Sequence, residues 1–219
     1  MTEPEYVRAT RSAYDTVAVD YATLLKDELD DKPLDRALLG VFAELVHSRG
    51  NGPVADLGCG PGRVTAHLSA LGLTAFGVDL SPAMVAVARR AHPDLRFDEG
   101  SMSALALIDG GLAGIVAWYS IIHTPPKDLP AIFAEFRRVL APGGHLLLAF
   151  QVGDAPVHLE QAYGHEISLD AYRLAPDTIA ELLHEAGLVV DARLIREPDA
   201  REKVQQAYLL ARKPSGIAT

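Results

Sequence analysis

Two acids and a run of glycines are the residues of this chain best suited to holding a small ligand. Asp56 lies at the end of the short apolar run Val54–Leu57, and Gly58, Gly60 and Gly62 follow, with Cys59 and Pro61 between them. Glycine lets the main chain take positive φ and lets a ligand come close to it. Pro61 suits the first turn of a helix. A helix starting here presents unpaired N–H groups and a partial positive charge, a seat for a carboxylate or phosphate. Asp56 would repel a pyrophosphate but suits the ammonium of an amino-acid-like ligand. The third glycine of a dinucleotide fingerprint, Gly-x-Gly-x-x-Gly, would fall on Arg63. Asp79 closes a second apolar run 21 residues after Gly58, the spacing of an acid that accepts hydrogen bonds from ribose hydroxyls.

The surrounding pattern alternates strands with helices, which predicts an α/β fold with a parallel sheet. After the glycine turn a helix spans Val64 to Leu71, and Leu73–Asp79 reads as a buried strand. Ser81 then caps the next helix and Pro82 opens it. Further strands are expected at Leu95–Phe97, Ile115–Tyr119 and His145–Phe150. A helix is expected at Asp128–Leu140 and another from Pro176. Leu188–Leu194 and Gln206–Ala211 form a terminal antiparallel pair. In open α/β sheets ligands bind beyond the carboxyl ends of the strands, so Trp118 to His123 should face the site. His123 is a candidate general base or substrate orienter, or else a packing histidine that caps the next helix, and Tyr119 stands behind it.

Upstream, Tyr6, Val7, Tyr14, Val17, Ala18 and Tyr21 recur at helical spacing within 2–25, and Tyr14 and Tyr21 share one face. A charged link over 26–36 reads as a solvated hinge, and a second helix follows from about Leu34 to Ser48. Residues 151–175 are less regular and carry His158, Tyr163, His165 and Tyr172, with an edge-strand alternation over 166–172. Acceptor recognition is expected there. His158, Glu160 and His165 match no known zinc or iron spacing, so no metal is expected.

Composition narrows the class. A chain of 219 residues with 49% hydrophobic content suggests one domain with its own core. No apolar run approaches a membrane span, and the N-terminus lacks a signal-peptide pattern. The single cysteine, Cys59, points to a reducing cytoplasm, and the net charge of −9 argues against nucleic acid as a habitual partner.

Motif order now suggests a family. Asp56-Leu57-Gly58-Cys59-Gly60-Pro61-Gly62 resembles the first motif of the class I S-adenosylmethionine-dependent methyltransferases, and Gly77–Met84 is similar to their second. Asp98–Leu105 resembles the adenine loop, with Ser101 where relatives usually carry Asp. Phe136–Gly144 is like the late Pro-Gly-Gly turn, and Tyr14–Tyr21 resembles the Tyr-Asp entry helix of many small members. An acid often begins the fourth strand in relatives, and here Gly114 takes that place.

The resemblance implies a seven-stranded Rossmann-like, mostly parallel sheet of order 3-2-1-4-5-7-6 with the last strand antiparallel. Helices flank it, with an N-terminal helical lid and hinge over 1–34. The methyltransferase domain covers 35–213, including a substrate-covering segment at 151–175, and a tail occupies 214–219. By the same likeness S-adenosyl-L-methionine is the cofactor and S-adenosyl-L-homocysteine the product. Its ligands would be Tyr14, Tyr21, Asp56, Gly58, Cys59, Gly60, Arg63, Asp79, Leu80, Met84, Gly100, Ser101, Met102, Tyr119 and Ser120. Arg63 would reach the methionine carboxylate. The acceptor, a small molecule with an O, N or C nucleophile, would meet Tyr14, His123, His158, Tyr163, His165 and Tyr172. A monomer or homodimer without membrane or nucleic-acid partners is expected. Two other classes share parts of the pattern: an NAD(P)-dependent oxidoreductase, disfavoured by Arg63 and Asp56, and a non-catalytic methyltransferase-like partner protein.

Overall fold

The computed structural model describes residues 3–215, so the expected tail lies mostly outside the described residues. The chain opens on α1 (Glu5–Leu24), a 3₁₀ turn (Glu28–Asp31) and α2 (Pro33–His47). Then β1 (Val54–Leu57), α3 (Arg63–Ala70), β2 (Ala75–Asp79), α4 (Pro82–Ala91), β3 (Arg96–Glu99) and β4 (Leu112–Trp118) alternate. They are followed by α5 (Leu129–Val139), β5 (Leu140–Gln151), β6 (Pro156–Ala162) and β7 (His165–Tyr172). The chain continues through α6 (Pro176–Glu185), β8 (Val189–Arg196) and β9 (Gln206–Arg212).

Seven strands form one sheet in the order β3-β2-β1-β4-β5-β9-β8. Neighbours from β3 to β5 pair in parallel, and β9 runs antiparallel to both β5 and β8. This is the expected 3-2-1-4-5-7-6 arrangement. β1 and the Ile115–Trp118 part of β4 are buried along their whole length, because helices cover both faces. Phe133, Phe136 and Leu183 pack one face, and Leu39, Phe42, Val46 and Leu68 pack the other. Burying each of the three phenylalanines stabilises the fold by roughly 1.5–3 kcal/mol. No helix among the described residues is long and apolar enough to cross a membrane.

Gly114 has a packing reason. A Cβ there would stand 2.6 Å from Cζ of Phe42 and 3.1 Å from Cγ2 of Val46, so α2 leaves no room for an acid at this end of β4.

Two segments differ from the sequence expectation. The link over 26–36 is fastened rather than loose: Leu29 is buried, and Lys32 pairs with Asp199 at 2.5 Å and Glu202 at 2.7 Å. Residues 156–172 form a second, two-stranded sheet of β6 and β7, where only the second strand was expected. Its two-residue turn places Tyr163 at φ 53° and Gly164 at φ 83°. Positive φ at both central residues is what a tight hairpin of natural twist requires.

Candidate active site

The glycine turn closes β1 onto β2. Gly58 N–H donates to the Val78 carbonyl at 2.8 Å, and Cys59 N–H donates to the same oxygen at 3.2 Å. Gly60 N–H donates to Oδ2 of Asp79 at 2.7 Å, and Ser81 N–H to its Oδ1 at 2.9 Å. The turn therefore spends these donors inside the fold. The expected anion seat on its main chain is not formed by these three groups. Asp79 is held rigidly instead, with lone pairs left over on an ionised carboxylate. Burial pushes its pKa up, and the N–H bonds from Ser81 and Gly60 pull it back.

α1 roofs the turn. Arg11 Nε donates to the Leu80 carbonyl at 3.3 Å. Oδ1 of Asp15 accepts from the Ser81 hydroxyl at 2.6 Å and from Ala83 N–H at 3.2 Å, while Ser81 Oγ caps α4 by accepting from Met84 N–H. Val17 and Ala18 pack on Met84, with Ile167 of β7 alongside. The hairpin thus clamps the far side of the lid, and His165 Nε2 lies 2.7 Å from Oδ2 of Asp20.

Between the lid and the strand ends lies a cleft of about 850 Å³, its mouth included. The expected residues Tyr14, Tyr21, Gly58, Gly60, Asp79, Leu80, Met84, Gly100, Ser101, Met102, Tyr119, Ser120 and His123 all line it. Oγ of Ser120 is buried there with no partner. Sequence reasoning missed Tyr6, Val7, Thr10 and Ile132, which also line the cleft. The α1 residues were visible as helix but not as cleft wall, since that depends on how α1 docks.

His123 is buried in a 3₁₀ turn after β4, and both of its nitrogens are engaged. Nδ1 lies 3.0 Å from the carbonyl oxygen of Asp170 on β7, and Nε2 lies 2.7 Å from the Tyr14 hydroxyl. A carbonyl only accepts, so Nδ1 carries the hydrogen; Nε2 of the neutral ring then accepts from Tyr14. Burial lowers the His123 pKa and raises that of Tyr14, so the pair rests uncharged.

Other expected ligands are placed off the cleft wall. Asp56 is turned beneath the turn, where Oδ2 accepts from Thr65 Oγ1 at 2.7 Å and Oδ1 has no partner. Burial pushes its carboxyl up to about 7. Arg63 pairs with Glu28 at 2.5 Å and donates to the Tyr21 hydroxyl at 3.4 Å. Cys59 packs against Val85, Ala88 and Phe97, behind the turn. Tyr119, at φ 55°, lines the cleft, but its hydroxyl turns to Tyr208 at 3.2 Å.

The acceptor-side residues of the hairpin also stand apart from the wall. His158 pairs with Asp170 at 2.7 Å on the exposed face. Tyr163 meets Tyr21 edge-on at 5.0 Å between centroids, and Tyr172 packs against the main core. No group of three histidine, cysteine or acid residues among the described residues could hold a metal ion.

Comparison with known proteins now adds to this geometry. Residues 54–144 match the model of a methyltransferase domain family. The carboxy-S-adenosyl-L-methionine synthase of Chromohalobacter salexigens is 34% identical over 182 residues, covering 68% of this chain and 66% of that protein. The demethylmenaquinone methyltransferase of Beutenbergia cavernae is 27% identical over 196 residues and 80% of each chain. Among solved structures, the Burkholderia thailandensis 1,6-didemethyltoxoflavin-N1-methyltransferase with bound 1,6-didemethyltoxoflavin and S-adenosylhomocysteine superposes with a TM-score of 0.73. It is 22% identical and covers 98% of this chain and 92% of its own. The Synechocystis PCC 6803 magnesium protoporphyrin IX methyltransferase gives 0.72 at 16% identity, over 97% and 99%. With the glycine turn, the acid ending β2 and the strand order all in place, the chain belongs to the class I S-adenosylmethionine-dependent methyltransferases.

Proposed function

We propose that this protein transfers a methyl group from S-adenosyl-L-methionine to a small molecule. The observation that carries the reading is the cleft beside the Gly58–Gly60 turn, with the Asp79 carboxylate fixed on its wall by two N–H groups. The cleft suits the cofactor: Asp79 keeps acceptor capacity for ribose hydroxyls, Ser120 Oγ is a buried polar atom still lacking a partner, and Gly58 leaves bare main chain. Leu80, Met84, Gly100, Ser101 and Met102 complete the nucleoside side, and Asp56 offers negative charge beneath the turn for an ammonium. Arg63 and Cys59 support this wall from behind.

When bound, the cofactor supplies an electrophilic methyl on a sulfonium, displaced in line by an O, N or C nucleophile and leaving a neutral thioether. No acid is needed for the leaving group. The protein's contribution is positioning, which can supply roughly 7–11 kcal/mol of the barrier. Tyr14 and His123 stand where an acceptor would enter, and neutral His123 is the base that a proton leaving the acceptor would reach by way of Tyr14. Of the hairpin residues, His165 and Tyr163 act through the lid they touch at Asp20 and Tyr21, while His158 and Tyr172 hold the hairpin itself in place. The single cysteine fits a reducing cytoplasm.

Calorimetric titration with S-adenosylhomocysteine against NADH tests the reading. Binding of the first alone is expected; binding of NADH alone would make the protein a nicotinamide-dependent oxidoreductase.

A further inference from the structure

We propose that Tyr14 and His123 work in series as a proton relay for an uncharged aromatic hydroxyl acceptor, with Tyr14 Oη meeting the acceptor directly. This rests on the methyl-transfer reading above and names the substrate class of that same site.

The relay follows from which lone pairs are free. His123 has none: Nδ1 is committed to the Asp170 carbonyl and Nε2 to the Tyr14 hydroxyl. Tyr14 Oη donates its hydrogen to Nε2, so its own lone pairs are what the pair can offer an acceptor. Both side chains line the cleft. The imidazole rests neutral because burial disfavours its charged form, so it can receive a proton.

The rest of the wall selects the acceptor. Tyr6, Val7, Thr10, Trp118 and Ile132 supply aromatic, apolar or uncharged surface, and no lysine or arginine among the described residues lines the cleft. A carboxylate or phosphate acceptor would be desolvated there with no counter-charge from the protein wall, which is costly. It would also have no proton for a base to remove, and a neutral amine attacks without one. A hydroxyl does need its proton removed. A phenol, with a pKa of about 10, is within reach of an imidazole, whereas an aliphatic alcohol is a far weaker acid.

The step balances with these two residues. The hydroxyl oxygen bonds to the methyl carbon with its lone pair, and the carbon–sulfur pair stays on sulfur. The hydroxyl proton passes to Tyr14 Oη as the Tyr14 proton passes to Nε2. Once the products leave, the imidazolium returns its proton to Tyr14 Oη as Tyr14 gives one up to water in the open cleft, which restores both residues.

The first measurement is calorimetric binding of S-adenosylhomocysteine to the wild type. Failure there removes the methyl-transfer reading and this inference with it. With that ligand saturating, 2-naphthol is compared with 2-naphthoate, and phenol with benzoate. The neutral member is expected to bind at least about tenfold more tightly in each pair. Equal or tighter binding of the carboxylates, or binding of neither, overturns the acceptor class and leaves the cofactor reading standing.

The relay is tested with S-adenosylmethionine and 2-naphthol. Tyr14→Phe and His123→Gln should each slow methyl ether formation about 100-fold near pH 7.5. The deficit should shrink towards about pH 10, where a phenol ionises unaided. A Tyr14→Phe rate equal to wild type near neutral pH, or a deficit of the same size at every pH, overturns the relay. The phenylalanine keeps the ring, and the S-adenosylhomocysteine titration on each variant reports whether the cleft has survived.

Discussion

Gly58 and Ser120 face each other across the carboxyl ends of β1 and β4 so closely that a Cβ on Gly58 would overlap the Ser120 Cβ. The backbone adds to this, because Gly58 is at φ 73°, where an L side chain is strained. Gly58→Ala should therefore lower stability by about 1–3 kcal/mol, read from the urea midpoint. The collision and the strain are separable. Adding Ser120→Gly relieves only the collision, so the double variant should recover part of the loss, a coupling of roughly 0.5–3 kcal/mol. Strictly additive effects would mean that the two residues do not touch.

Asp79 carries a second prediction. Its carboxylate holds Gly60 and Ser81 while keeping capacity for a ribose, so its removal costs a charged acceptor and slackens the turn together. Asp79→Ala should weaken binding of S-adenosylhomocysteine roughly 10–150-fold, the equivalent of about 1.5–3 kcal/mol. Asp79→Asn keeps an acceptor oxygen in place and should fall between. An unchanged dissociation constant in calorimetry would contradict the role.

Asp56 makes a prediction about protons. Burial is the main cause that brings its carboxyl up to about 7, against an ordinary value near 4 for an unfolded chain. Between those values the folded protein holds more proton than the unfolded one. Its contribution to stability is therefore full below about pH 4 and is lost as pH rises through about 7. Asp56→Asn keeps an acceptor for Thr65 and should be more stable than wild type at pH 8, with the difference vanishing towards pH 4. The cofactor's ammonium would favour the ionised acid, so its binding at pH 7 should release protons from the wild type. Calorimetry in buffers of different ionisation enthalpy should show this release, and Asp56→Asn should abolish it.

These sites differ in how far the sequence reveals them. β1, β2 and β4 were readable because strands covered on both faces become unbroken apolar runs. Gly58, Gly60, Asp79 and His123 were readable because turn geometry and strand ends fix their spacing. The hydrogen bond that orients His123 was not, since its partner is a main-chain carbonyl, that of Asp170, and such groups leave no mark on residue type. Asp15 looked like part of a helix motif, and only the docking of α1 makes it a clasp on Ser81 and Ala83. Arg63 was assigned to the ligand from its place in the motif, but Glu28, 35 residues upstream, holds it instead. β6 stayed hidden because its residues are polar or half exposed and its strand pairing is to its hairpin partner, outside the main sheet.

The last prediction concerns the polar chain beneath the cleft. Tyr119 lies 3.2 Å from the Tyr208 oxygen, and the Tyr208 hydroxyl donates to Oδ1 of the buried Asp35 at 2.8 Å. Tyr208→Phe would strand three neighbours: a buried carboxyl without its donor, and a Tyr119 hydroxyl and Arg196 Nε without their acceptor. The expected cost is about 1–3 kcal/mol. Burial already raises the Asp35 pKa, and the Tyr208 hydrogen bond is the largest influence lowering it. Without that bond the folded-state pKa rises further, so the variant gains on the wild type as pH falls. Urea unfolding at about pH 8 and pH 5 should show the larger deficit at the higher value. A deficit independent of pH would mean that Asp35 does not feel the loss. Because Tyr119 lines the cleft, freeing its hydroxyl should also weaken S-adenosylhomocysteine binding, a loss that packing under the sheet alone would not produce.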